Sequence, residues 1–87
     1  MDLKPGEYYE DCFYHPCLCV RVDTEHGQVE GISLVDGTYP RACSIGYCGI
    51  RKLTLAEALD WKFNGPKDVP EDAALPVEKR WWEPGGW

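Results

Sequence analysis

A period of two runs through residues 8–53, and a helical period replaces it once, at residue 54. Residues 8–14 are aromatic and β-prone: Tyr8, Glu10, Cys12 and Tyr14 share one face, and Tyr9, Asp11 and Phe13 the other. His15-Pro16 interrupts them, because proline cannot donate to a strand ladder. Residues 17–23 predict a second strand. Leu18, Val20 and Val22 alternate there with Cys17, Cys19, Arg21 and Asp23, and the Leu/Val face is expected to meet the core. Gly27 suits a hairpin loop over residues 24–28. A third strand follows over 29–35, with Ile32 and Leu34 on one face, and Asp36-Gly37 ends it. Residues 39–45, with Pro40 near their start, predict a fourth strand. Gly46 and Gly49 bracket a turn, and residues 50–53 predict a fifth.

Thr54-Leu55-Ala56-Glu57 is a capping box: the Thr hydroxyl accepts from the amide three residues on, and Glu57 reaches back to the cap amide. Leu55, Leu59 and Phe63 fall at i, i+4 and i+8, so a helix over 54–64 with one apolar stripe is predicted, with Glu57, Asp60 and Asn64 outside it. Gly65 and Pro66 end it. Beyond lie Pro70, Pro76 and Pro84, which prevent a long regular element. The chain therefore divides into a β-rich domain with its helix, 1–65, and a Pro/Trp-rich tail, 66–87. The expected fold is mainly β: a small five-stranded barrel or bent sheet, one short C-terminal helix and an irregular tail.

Residues 3–53 resemble small SH3-like β-barrels, in the opening Leu3-Lys4-Pro5-Gly6-Glu7-Tyr8 and in strand count and spacing. The resemblance implies binding of peptides, proteins or nucleic acid through exposed aromatic side chains, here Tyr8, Tyr9, Tyr14, Tyr39 and Tyr47. The acidic loop, Trp pair and Pro-x-x-Tyr end that mark proline-peptide recognition in that family are not matched, so that specificity is not carried over.

With 87 residues the chain holds one domain with a thin core, in which two Phe, five Tyr and four Trp must supply bulk. Fifteen acidic residues against nine basic ones give a net charge of −6, which argues against a nucleic-acid partner held through its phosphates and suits solubility or a basic protein partner. Arg41, Arg51 and Lys52 make only a small basic group. The first six residues carry no apolar signal segment, and no apolar run reaches membrane-spanning length. A cytoplasmic protein with reduced thiols is expected, since five cysteines are an odd number for a disulfide framework.

Cys12 and Cys17 are separated by four residues, as are Cys43 and Cys48. Two such hairpins facing one another would offer four thiolates to a structural zinc ion, with His15 and Cys19 as spare ligands. The alternative is that these thiols pack as small hydrophobes. A thiol nucleophile at Cys17 or Cys19 would need a base within reach, and Pro16 separates His15 from Cys17. Glu7, Glu10 and Asp11 would need a cleft to act as acid and base; otherwise they form a solvated strand edge. No catalytic constellation emerges.

Three of the four tryptophans, Trp81, Trp82 and Trp87, lie in the last seven residues. They either fold back to seal the domain or insert into another chain, where Trp is a favoured anchor. The expected function is a small non-catalytic interaction module that meets a protein partner, or another copy of itself, through the aromatic face and the Trp tail. The alternative is a domain held by cysteine-bound zinc.

Overall fold

Residues 3–45, 50–67, 69, 81 and 82 are described by the structure, a computed structural model. They form β1 (Tyr8–Glu10), β2 (Pro16–Asp23), β3 (Gln28–Ser33), β4 (Cys43–Ser44), β5 (Arg51–Leu53) and α1 (Leu55–Asn64). The strands build one antiparallel sheet in the order β4-β3-β2-β1-β5, curled into a half-barrel. The mainly β expectation with one short helix therefore holds.

Polar side chains make several strands shorter than the alternation predicts. Asp11 ends β1: its Oδ1 accepts the backbone N–H groups of Phe13 and His15, at 3.0 and 2.9 Å, and turns the chain. Ser33 ends β3 in the same way, its Oγ accepting the N–H groups of Val35 and Asp36 at 3.1 and 3.4 Å. The fourth strand keeps only Cys43 and Ser44.

The predicted core face of the second strand is corrected. Cys17 and Cys19 are buried, whereas Val20 is 41% exposed. Cys19 pairs with Gly31 and Arg21 with Glu30, so Val20 is the extra residue of a β-bulge. The bulge shifts the phase of the strand and brings Val22 opposite the buried Val29. The interior of so tight a curl suits small side chains, and the register pairs Cys17 with Ser33 and Cys19 with Gly31. One large ring, Tyr9, fills the remaining space, fully buried, and donates to the carbonyl of Arg41 at 2.7 Å. Leu3, Ile50 and Cys43 complete this cluster.

The opposite face of the sheet meets the helix. Thr54 Oγ1 accepts from the Glu57 amide at 3.1 Å and Glu57 Oε1 accepts from the Thr54 amide at 2.9 Å, so the capping box forms as predicted. The predicted stripe, however, does not face the sheet. Ala58 and Trp61 are the buried helix residues, and they join Leu53, with Tyr8 and Leu34 alongside. Ala58 lets the helix approach closely, and Trp61 is buried with its indole N–H donated to the buried carboxylate of Glu10. Arg51 lies 3.5 Å from that carboxylate and 5.2 Å from the indole ring centre. Lys62 Nζ donates to the carbonyl of Leu34, just past the end of β3, at 2.7 Å, a second tie for the helix.

Candidate interaction surface

Because Ala58 and Trp61 occupy the sheet side, α1 turns its most apolar stripe outward. Leu55, Leu59 and Phe63 are 53%, 43% and 73% exposed. At 1.5 Å per residue the three span about 12 Å along the helix. A cleft of about 410 Å³ opens at the N-terminal end, lined by Glu7, Tyr8, Lys52, Leu53, Thr54, Leu55 and Glu57. At the C-terminal end Phe63 borders a hollow of about 220 Å³ shared with Lys62, Asn64, Gly65, Trp81 and Trp82. The result is an apolar strip with a depression at each end. Large exposed apolar patches on small domains mark contact sites.

The described aromatic residues expected to make contacts divide into three groups. Tyr8 lines the first cleft, and Tyr39 is 57% exposed in the loop before β4. Tyr9 and Trp81 are withdrawn from solvent, which corrects their assignment as contact residues. Tyr9 is core, and Trp81 is 6% exposed, stacked at a tilt 5.6 Å from the His15 ring with its indole N–H donated to the Tyr14 carbonyl at 3.2 Å. Tyr14 and Trp82 are half-buried and meet edge to face at 5.7 Å, which places Trp82 beside the second hollow. Tyr47 and Trp87 lie outside the described residues. Leu55, Leu59 and Phe63 were legible in the sequence as one helical stripe, but the side it would face was not.

Beneath Trp81 lies a buried polar network. Ser33 Oγ accepts two backbone N–H groups and lies 2.8 Å from His15 Nδ1. Burial, then the Arg41 guanidinium, hold His15 below its ordinary value near 6.5, against an opposing pull from Asp11 and Asp36. The folded state therefore binds this proton later than the unfolded chain on acidification. Its stabilising contribution is complete above about pH 6.5 and is lost as pH falls from there through the lowered folded value. Between pH 7 and pH 5 the native protein should lose more stability than His15→Asn, as measured by urea midpoints. Equal losses would remove His15 from the account.

The carboxylates do not form an acid/base pair. Glu7 is paired with Lys52 at 3.1 Å, which, with the Lys4 amide, lowers its value. Glu10 faces Trp61, and burial raises it. Asp11 lies 3.4 Å from Arg41 Nε. Cys17 is fully buried, its Sγ 3.4 Å from the His15 carbonyl, and burial pushes its thiol up, as it does that of Cys19. Cys12 and Cys43 meet, with sulfurs 3.4 Å apart. Cys48 lies outside the described residues, and among the described residues no three His, Cys, Asp or Glu side chains converge as a metal site requires, so the four-cysteine zinc site is not assembled there. Among these residues, too, no helix is long and apolar enough to cross a membrane. No family model, curated protein or solved structure matches this chain.

Proposed function

We propose that this chain is a non-catalytic protein-interaction module whose contact surface is the outward stripe of α1, extended by the Tyr8 cleft and the Trp82 hollow. The observation that carries this reading is the exposure of Leu55, Leu59 and Phe63 on a helix whose smaller face and lone Trp hold it to the sheet. The burial of Cys17 and the use of His15 to brace Ser33 favour a binding role over thiol chemistry. A net charge of −6 selects the partner: a basic amphipathic protein segment, with apolar side chains for the strip and Lys or Arg to complement the acidic domain. Binding through an exposed aromatic face is also what the SH3-like resemblance implies.

The test uses a synthetic helical peptide with Leu on one face and Lys on the other, followed by amide chemical shifts of the protein. Shifts should concentrate on residues 55–63, Tyr8 and Trp82. Leu59→Ser and Phe63→Ser should each weaken binding about tenfold, the loss expected of one anchor residue. Stability should change little, because both side chains are exposed. Shifts dispersed over the acidic surface would overturn the reading. So would a surface occupied without peptide in a concentration-dependent way, since the occupant would then be a second copy.

A further inference from the structure

We propose that Cys12 and Cys43 are a thiol pair that a small-molecule disulfide oxidises to an intramolecular bond, clamping the half-barrel closed. The two residues are 31 positions apart in sequence, yet their sulfurs lie 3.4 Å apart. Their strands are not neighbours: β4, which carries Cys43, and β1, which leads into the Cys12 turn, are separated in the sheet by β3 and β2. At about 4.8 Å per strand a flat sheet would hold these positions about 14 Å apart, so the sulfur contact reports the curl itself. A bond there ties the edge strand across the concave face.

The two thiols are differently placed, and this sets the order of events. Cys12 is exposed and Cys43 is buried. The Cys12 thiolate attacks one sulfur of the small disulfide, forms a mixed disulfide and releases one small thiolate. The Cys43 thiolate then attacks Cys12 Sγ, forming the protein S–S bond and releasing the second small thiolate. Two protein thiols are oxidised, one small disulfide is reduced to two thiols, and the two protons lost by the protein pass to the departing thiolates. The sulfurs must close from 3.4 Å to about 2.05 Å. The exposed turn at Cys12 and Phe13 can supply that movement, whereas Cys17, two residues from the buried Cys19 on β2, is held in the core.

The experiment incubates the full chain, with a chelator present, in oxidised and reduced glutathione, traps remaining thiols by alkylation and maps linked peptides by mass spectrometry. The expected product is a Cys12–Cys43 cross-link, 2 Da lighter than the reduced chain and retained in Cys48→Ser. Cys43→Ser should stop at glutathione on Cys12. The linked form should melt on the order of 10 °C higher, since closing a loop of this length restricts the unfolded chain. A dominant bond to Cys48, glutathione persisting on Cys12 in the unaltered chain, or no reaction would each overturn the proposal. So would zinc that co-purifies and, in a parallel incubation without chelator, blocks both thiols.

Discussion

Gly31→Ala should destabilise this domain by about 3 kcal/mol, at the upper end of what overpacking a core costs. The reason is crowding. A Cβ at Gly31 would lie 2.5 Å from the Leu18 carbonyl oxygen of the paired strand and 2.6 Å from the Tyr9 hydroxyl. The first is backbone held in the β2–β3 ladder, so it cannot rotate away. The second belongs to the one large ring of the concave core, anchored on the Arg41 carbonyl. Against a typical total of 5–15 kcal/mol, such a loss would leave a measurable unfolded population. Urea denaturation at pH 7 checks it. In a Tyr9→Leu background the cost of the alanine should fall, because the hydroxyl contact is gone, but it should not vanish while the carbonyl remains. A midpoint unchanged by Gly31→Ala would show that the curl is looser than this geometry requires.

Trp61→Ala should cost about 4 kcal/mol, the range for removing a buried tryptophan. It empties the interface between helix and sheet and leaves the Glu10 carboxylate buried without its indole donor. Trp61→Phe separates these effects, since it keeps a ring while removing the N–H. Burial raises Glu10, and the Trp61 and Arg51 contacts oppose that rise. A raised carboxyl binds its proton more tightly in the folded state, so its contribution to stability is full below about pH 4.5 and is lost as pH rises through the folded value. Without the indole the value rises further. Trp61→Phe should therefore fall further behind the native protein as pH goes from 4.5 to 7, whereas Glu10→Gln should gain on it over the same interval. Parallel curves for all three proteins would mean that Glu10 is neutral or solvated throughout.

Local rules read from the sequence succeeded where the physics is local. The capping box of Thr54 and Glu57 needs only four consecutive residues, and it forms with both bonds in place. Gly65, at φ 89°, ends the helix where expected. The hairpin at residues 24–27 joins β2 to β3 with Gly27 at φ 63°. The candidate surface was half legible: the stripe could be read, but its direction could not. An i, i+4, i+8 pattern shows which side chains share a face, and nothing in it says whether a sheet or solvent lies opposite.

The sequence by itself therefore determined a small, acidic, aromatic-rich chain of short strands with one capped helix, because periodicity, turn residues and caps act within a few positions. The tertiary structure alone decided which faces are inside. Cys17 and Cys19 point inward on β2 in place of the Leu/Val face, and the bulge that pushes Val20 out of the ladder brings Val22 to their side, opposite the buried Val29. Trp61 reaches Glu10, 51 positions away, and its burial with Ala58 outweighs the Leu55–Leu59–Phe63 stripe in orienting the helix. Cys12 meets Cys43 only because the sheet curls. Each of these outcomes depends on contacts between residues distant in sequence, where close packing and partners for buried polar groups override the local pattern.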